Sequence, residues 1–395
     1  MLNDKQKNKI IKLLLYLQEN NLYYKKILER MGYEINLENI EQIYFELPYM
    51  SKKDIINAGE DFFSIIKENE KINSFITSGS TGQVLECKKT KSESSILALK
   101  IWQCRRKVDS LLTPDNYISL FSDDIEDIIG HFYDTNKEVL KKNFEKIMQL
   151  NPRWISGPIS IIEKFAMMIA NKELNYHSSN LKYIEFMGEY VNEKKRKFIE
   201  NCFDCKTVVH YGLQEVWCVA YDCGDRKLKI FDNDFFCEVI NESNNLGEIV
   251  ITSFNNYYMP IIKYKSGDIG TISYPYKDEK TSILKISDGR IGTEIYGKNI
   301  LGSYFFDQII WDVNTYCQNA IFSFKVIQTH PDFFEFYIVK NDSFNSEVLK
   351  IIENRMKKEL GADIHVKFIF QNNQMFGKNG KTKKFISYLP KEEIG

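Results

Sequence analysis

The chain has 395 residues, beyond the range where one hydrophobic core keeps growing, so two or more domains are expected. A hydrophobic share of 43% with 27% charged residues is that of an ordinary globular protein, and a formal net charge of −1 leaves no overall electrostatic footprint for nucleic acid. No apolar run approaches the ~20 residues of a membrane span. The run Ile10–Leu15 is broken by Lys12 and no small-residue cleavage site follows, so a cytoplasmic protein with mostly reduced cysteines is expected.

Through about residue 60 the pattern is helical, with Ile10, Ile11, Leu14, Leu15 and Leu17 forming an apolar stripe. Pro48 closes that region, and Ser51 before Lys52, Lys53 and Asp54 reads as the N-cap of a further short helix. From Phe75 strands and helices alternate: helical 159–170, strand-like 181–187, helical 193–202, strand-like 207–211. Alternation of this kind implies an α/β sheet with parallel pairs. The basic run Lys194-Lys195-Arg196-Lys197 reads as a solvated helix face rather than a nucleic-acid patch. After about residue 220 come short strands separated by turn residues, at 228–231, 235–240, 248–252, 270–273 and 282–286, which describe a β-rich subdomain. Beyond Gly302 the pattern resets: helix near 304–314, strands at 320–328 and 334–339, helix at 346–360, strand at 364–370. The expectation is a large N-terminal α/β domain with a β-rich subdomain, 1–291, and a small mobile C-terminal α+β domain, 292–395.

Three segments carry candidate chemistry. Phe75-Ile-Thr-Ser-Gly-Ser-Thr-Gly82 sets Thr77, Ser78, Gly79, Ser80, Thr81 and Gly82 directly after a short strand. Such a loop presents backbone N–H groups and hydroxyls to a polyphosphate, although a plain polar surface loop has the same composition. It lacks the Gly-Lys-Ser/Thr ending of a Walker A loop. In His210-Tyr-Gly-Leu-Gln-Glu215, an acidic residue beyond a Gly turn at a strand's end is placed to hold Mg²⁺ on substrate phosphates; a helix-start carboxylate is the competing reading. In Tyr264-Lys-Ser-Gly-Asp268, a carboxylate on a tight turn suits the two hydroxyls of a ribose, and an ordinary β-turn has the same residues. Cys202, Cys205, Cys218 and Cys223 have a spacing that faintly suggests structural zinc, against scattered buried thiols.

Together and in this order, the three segments resemble the adenylate-forming superfamily of acyl–CoA synthetases and adenylation domains, and its phenylacetate–CoA ligase branch in particular. The likeness extends to Leu22-Tyr-Tyr-Lys25, Leu47-Pro48, Lys53-Asp54-Ile55 and Trp154-Ile-Ser-Gly-Pro-Ile-Ser160, and so spans essentially the whole chain. It implies that Thr77–Gly82 is the phosphate loop, Gly188-Glu189 the turn beneath adenine, and Tyr211-Gly212 the segment against adenine and the acyl group. It further implies Glu215 as Mg²⁺ ligand, Asp268 and Arg290 as ribose contacts, and Lys381 as the catalytic lysine of the C-terminal domain. The implied activity is ATP- and Mg²⁺-dependent formation of an acyl-adenylate from a small-molecule carboxylic acid, aromatic by default. Transfer then follows to CoA or to the phosphopantetheine of an acyl carrier protein. AMP transfer to a non-carboxylate acceptor and a non-catalytic nucleotide-binding scaffold are the alternatives. Gln214, Gln83-Val84 and Thr293-Glu294 depart from the usual pattern, and the basic neighbours Lys378, Lys383 and Lys384 equally describe a solvated tail around Lys381.

Overall fold

The computed structural model describes residues 2–77, 84–121, 136–177, 180–243, 246–275, 281–291, 293–299, 301–372 and 384–389. Two compact units emerge, Met1–Leu111 with Val208–Ser287, and Leu112–Thr207 with Asp288–Gly395.

The first unit opens with helices α1 (Asp4–Asn20), α2 (Leu22–Met31), α3 (Ile40–Glu46) and α4 (Lys52–Ala58). Asn3 and Gln6 cap α1 reciprocally, and Ser51 caps α4 as its sequence indicates, with the Ser51 amide donating to Asp54 Oδ2 at 2.8 Å. The antiparallel strands β1 (Ile72–Ile76) and β2 (Glu86–Thr90) follow, then α5 (Lys91–Val108). The remaining strands of this unit lie side by side in the order β6 (Lys206–Leu213), β7 (Trp217–Asp222), β8 (Leu228–Ile230), β12 (Ile283–Arg290), β11 (Tyr264–Ser273), β10 (Leu246–Ser253), β9 (Phe235–Ser243). Leu13, Leu14 and Leu17 of α1 and Tyr44 of α3 share one core with Val219, Ala220, Ile249 and Ile251 of this sheet. Burial of each large aliphatic is worth about 1.5–3 kcal/mol, so the N-terminal helices brace the strands that carry the candidate site.

The second unit contains the expected parallel sheet: β3 (Tyr117–Ser119), β4 (Trp154–Gly157) and β5 (Tyr183–Met187) run in register, Ile118 beside Ile155 and Ile155 beside Ile184. Its helices are α6 (Lys137–Gln149), α7 (Ile159–Ala170) and α8 (Glu193–Phe203). A short β13 (Glu294–Ile295) and β14 (Leu301–Gly302) precede the small α+β layer expected at the C-terminus. There α9 (Tyr304–Tyr316), β15 (Ile321–His330), β16 (Phe333–Lys340), α10 (Glu347–Leu360), β17 (His365–Gln371) and β18 (Phe385–Ser387) form a sheet of order β17-β16-β15-β18 under two helices. Phe306, Ile309 and Val313 of α9 and Ile352 and Met356 of α10 fill its core against Val326, Phe334 and Phe336.

Two readings need correction. The basic run on α8 is not a solvated face: Lys195 and Arg196 are buried, Arg196 donating to Thr207 Oγ1 and to the Thr207 carbonyl at 2.6 and 2.7 Å. Tyr264–Asp268 is not a turn between strands but the opening of β11, interrupted by a bulge. Among the described residues no helix is long and apolar enough to cross a membrane.

Candidate active site

Within the first unit, β6 and β7 form a hairpin whose backbones nearly touch. A Cβ at Gly212 would fall 1.5 Å from the Trp217 carbonyl oxygen, so only glycine fits, and Trp217 itself adopts φ 62°. The Val216 amide closes the turn on the Leu213 carbonyl at 3.1 Å. Glu215 therefore occupies a hairpin turn, and the helix-start reading falls because β7 follows. Its side chain is buried, and Oε1 accepts from the Tyr264 hydroxyl at 2.8 Å; among the described residues no hydrogen bond reaches Oε2. The turn's main chain is held separately: Lys89 Nζ donates to the Gln214 and Glu215 carbonyls at 3.2 and 2.6 Å, and Asn256 Nδ2 to the Glu215 carbonyl at 3.0 Å. Burial lowers the pKa of Lys89, while Cys87 and Glu215 nearby oppose that shift. Sequence reading missed Lys89, which has no signal beyond its place on a short strand.

Leu85, just ahead of β2, and Thr77 flank the Ser/Gly-rich segment. The Thr77 amide donates to the Leu85 carbonyl and the Leu85 amide to Thr77 Oγ1, both at 2.9 Å, so the two ends of the loop are clamped together. Phe75 packs edge-on against Trp217 with ring centroids 5.5 Å apart, which ties the base of this hairpin to the Glu215 turn. Ser78, Gly79, Ser80, Thr81 and Gly82 lie outside the described residues.

Asp268 is presented by the bulge in β11. Gly267 takes φ 74°, its amide donates to Glu248 Oε1 at 3.2 Å, and Ser266 Oγ donates to the Ile249 carbonyl at 2.6 Å. The Asp268 amide donates back to Ser266 Oγ at 3.1 Å, and its Oδ2 accepts from the Tyr211 hydroxyl at 3.0 Å. Burial, with the Asp268 charge adding to it, raises the Tyr211 pKa well above the ordinary phenol value, so Tyr211 stays a proton donor. Met50 clasps the strand's start, exchanging main-chain bonds of 2.9 and 2.8 Å with Lys263 and Lys265 on either side of Tyr264. Two phenol–carboxylate pairs, Tyr264 with Glu215 and Tyr211 with Asp268, thus tie the β6–β7 hairpin to β11.

The second unit places Gly188 at the end of β5 with φ 78°. Glu189 is committed to α7, where its Oε2 accepts from the Ser160 amide at 2.9 Å and Oε1 from Ser160 Oγ at 2.8 Å, neutralising the helix start. Arg290 is exposed and ends β12 in a turn, its amide donating to Thr293 Oγ1 at 3.3 Å. Lys381 lies outside the described residues. Among the described residues no three His, Cys, Asp or Glu side chains converge to hold a metal ion, so no cluster stands behind the zinc spacing. Cys223 instead faces the Cys104 thiol, which outweighs burial and holds the Cys223 pKa below the usual thiol value.

Residues 296–388 match the CapK C-terminal domain. Over 95% of its length the chain is 21% identical to Protein CapK of Staphylococcus aureus, 86% of which is covered. Its structure superposes on a 2-hydroxyisobutyryl-CoA ligase in complex with 2-HIB-AMP at a TM-score of 0.75, with 14% identity, 96% of this chain and 88% of that one covered. The chain has the fold of the acyl-CoA ligases. The anthranilate CoA ligase AuaEII in complex with anthranoyl-AMP shares that fold more loosely, at a TM-score of 0.54, 12% identity, and coverage of 81% and 67%. This is the fold of the superfamily that the sequence motifs resemble, and neither of the two solved structures is a phenylacetate–CoA ligase.

Proposed function

We propose that the chain is an AMP-forming ligase that activates a carboxylic acid as its acyl-adenylate and passes the acyl group to a thiol. The observation that supports this most is the two phenol-held carboxylates, Glu215 with Tyr264 and Asp268 with Tyr211, together with Phe75, on the strand that leads into the Ser/Gly-rich segment, packed on Trp217 of the same hairpin. In the proposed first step the acid's carboxylate oxygen attacks the α-phosphorus of ATP, the bond to the β-phosphate oxygen breaks, and pyrophosphate leaves. In the second, a thiolate of CoA or a carrier-protein phosphopantetheine attacks the acyl carbon and AMP leaves.

Glu215 fits a Mg²⁺ ligand: Tyr264 fixes one oxygen, and the other is the hard donor that ion prefers. When bound, Mg²⁺ neutralises phosphate charge that would otherwise repel the incoming carboxylate. Asp268, pointed by Tyr211, accepts from the ribose hydroxyls. The Thr77–Gly82 loop receives the phosphates, Tyr211-Gly212 and Gly188-Glu189 border the adenine, and Arg290 assists at the ribose. Lys381, on the small domain taken as 292–395, stabilises the charge that shifts between carboxylate and α-phosphate. An aromatic acid and a cytoplasmic setting belong to the same reading.

The test is the fate of AMP. The protein is incubated with MgATP and a mixed panel of aryl, alkyl and amino acids, and the products are read by mass spectrometry. The proposal expects an acyl-AMP from at least one acid and its conversion to a thioester when CoA or a phosphopantetheinyl carrier is added. AMP on a hydroxyl or phosphate acceptor, or no adenylated product at all, contradicts it.

A further inference from the structure

The second unit holds a buried charge network that the adenylation chemistry does not itself use. Glu163 on α7, Lys195 on α8, Asp307 on α9 and Lys384 just before β18 meet although they come from four separate segments. Lys195 Nζ lies 2.9 Å from Glu163 Oε2 and 3.1 Å from Asp307 Oδ1, and Lys384 Nζ lies 2.5 Å from the same Asp307 oxygen. Lys195 and Asp307 are 6% and 8% exposed, so their contact is desolvated and losing one partner costs far more than at a surface, while Lys384 reaches it from a partly exposed position. The flanking seam is packed: Tyr190 meets Tyr304 edge-on at 4.9 Å, Phe198 meets Trp311 at 5.7 Å, and Lys164 sits 5.5 Å from the Phe322 ring.

The network has a direction. Helix α7 carries Ser160 in its first turn, which holds Glu189, and Glu163 one turn later, which holds Lys195. From Glu189 to Lys384 the links run through Ser160, α7, Glu163, Lys195 and Asp307 without a break. In sequence Lys384 stands three residues after Lys381. Strand β18 begins at the next residue and pairs with β15, Val326 beside Phe385, with the Val326 amide donating to the Lys384 carbonyl at 2.7 Å.

We propose that Asp307, gripped between Lys195 and Lys384, is a positioning residue for the adenylation half-reaction, fixing the end of the lysine-bearing segment to α7 and through it to the Gly188–Glu189 turn. The tie matters for one half-reaction because only acyl-adenylate formation uses the lysine; transfer from a finished adenylate does not. This inference rests on the adenylation reading, so its test carries an arm that is independent of activity.

Asp307→Asn keeps the shape and removes the charge; Lys384→Met leaves the Glu163–Lys195–Asp307 contacts intact and serves if the first variant folds poorly. Acid-dependent ATP–pyrophosphate exchange is measured with the same acid panel, transfer is measured from supplied acyl-adenylate to CoA, and amide hydrogen exchange is followed over Phe385–Ser387 and residues 193–203. Both variants should lower kcat for pyrophosphate exchange about tenfold to a hundredfold at unchanged KM for ATP, since small misplacements of a catalytic group cost that much. Transfer from supplied adenylate should stay within twofold, Asp307→Glu should recover most of the exchange rate, and the β18 amides should exchange faster in both variants. Equal losses in both half-reactions, or β18 amides unchanged in both variants, would overturn the proposal. Should the native chain support no pyrophosphate exchange with any acid, the adenylation reading fails, while amide exchange still decides whether the tie exists.

Discussion

Two pairs of acidic groups, one pair in each unit, are handled in opposite ways. In the first unit, Glu215 and Asp268 are oriented by neutral phenols, Tyr264 and Tyr211. In the second, Glu163 and Asp307 are met by ammonium groups, Lys195 and Lys384. A phenol donates a hydrogen bond without cancelling charge, so the carboxylate keeps its negative charge for a cation or a hydroxyl pair. Lys89, beside the Glu215 turn, spends its ammonium on two main-chain carbonyls instead. Where lysines meet the acids directly, charge is neutralised and the contact serves to hold segments together. Burial alone would raise the Asp307 pKa, but Lys384 and Lys195 hold it below the usual carboxylate value. At Glu215 a neutral phenol holds one carboxylate oxygen, so orientation there does not consume the charge an ion would need.

The largest effect should come from the residue meant to act on the charge these carboxylates help assemble. Lys381→Ala should slow acyl-adenylate formation by about 10²–10³-fold while leaving ATP affinity near native. Lys383→Ala is the comparison. Equal, small effects of the two substitutions on pyrophosphate release would reduce this segment to a solvated basic tail.

Next comes Glu215→Gln. The carboxamide oxygen still accepts from Tyr264, so the thermal transition should hold, but a carboxamide cannot neutralise a divalent ion. Turnover should drop by about 10²-fold and respond only weakly to added Mg²⁺. Native activity at saturating Mg²⁺ would remove Glu215 from the site. Tyr264→Phe sharpens the comparison further. It deletes a hydrogen bond with a net worth of about 0.5–1.5 kcal/mol, so the apparent Mg²⁺ requirement should rise about 3–10-fold with kcat little changed. A loss as large as that of Glu215→Gln would mean the phenol does more than orient.

A last expected effect is on stability rather than on turnover and lies in the seam. Lys164 on α7 is buried, and desolvation, reinforced by Lys384, lowers its pKa from 10.5 to about 7 despite Glu163 and Glu189. A lysine whose folded pKa lies below its unfolded value penalises the fold fully below pH 7, where both states carry the proton. Stability then rises as pH climbs from about 7 to about 10.5, because the unfolded chain binds the extra proton there. Lys164→Met should flatten that rise and raise stability at pH 7 by on the order of a few kcal/mol. Denaturant midpoints measured from pH 6 to 10 check it; parallel curves for the two proteins would contradict the assignment.

Much of the architecture was legible in the residues. Helix α7 spans Ile159–Ala170 as its apolar content requires, and the C-terminal α+β layer follows its strand and helix patterns to within a few residues. Strand β7 escaped because it begins at Trp217 in a left-handed conformation, which no propensity foresees. The place of Asp268 was misread for a related reason: Ser-Gly-Asp is turn chemistry, and whether it ends a strand or bulges one depends on β10 beside it. Lys195 and Arg196 sit in a run that composition alone assigns to solvent. Their partners Glu163, Thr207 and Asp307 are distant enough in sequence that only the fold reveals the burial. The candidate motif residues of the first unit stand out in the sequence because glycine, hydroxyl and carboxylate types cluster within a few positions. Lys89, which holds the turn by a single ammonium, leaves no such trace.

The central claim is that Glu215 serves an ATP-dependent activation of a carboxylic acid, and acid-dependent ATP–pyrophosphate exchange tests it most directly. Native protein and Glu215→Gln are compared with and without Mg²⁺ across the mixed acid panel. The account predicts exchange that requires both an acid and Mg²⁺ in the native protein and falls about 10²-fold in the variant. Exchange indifferent to the acid, or equal in the two proteins, would contradict it.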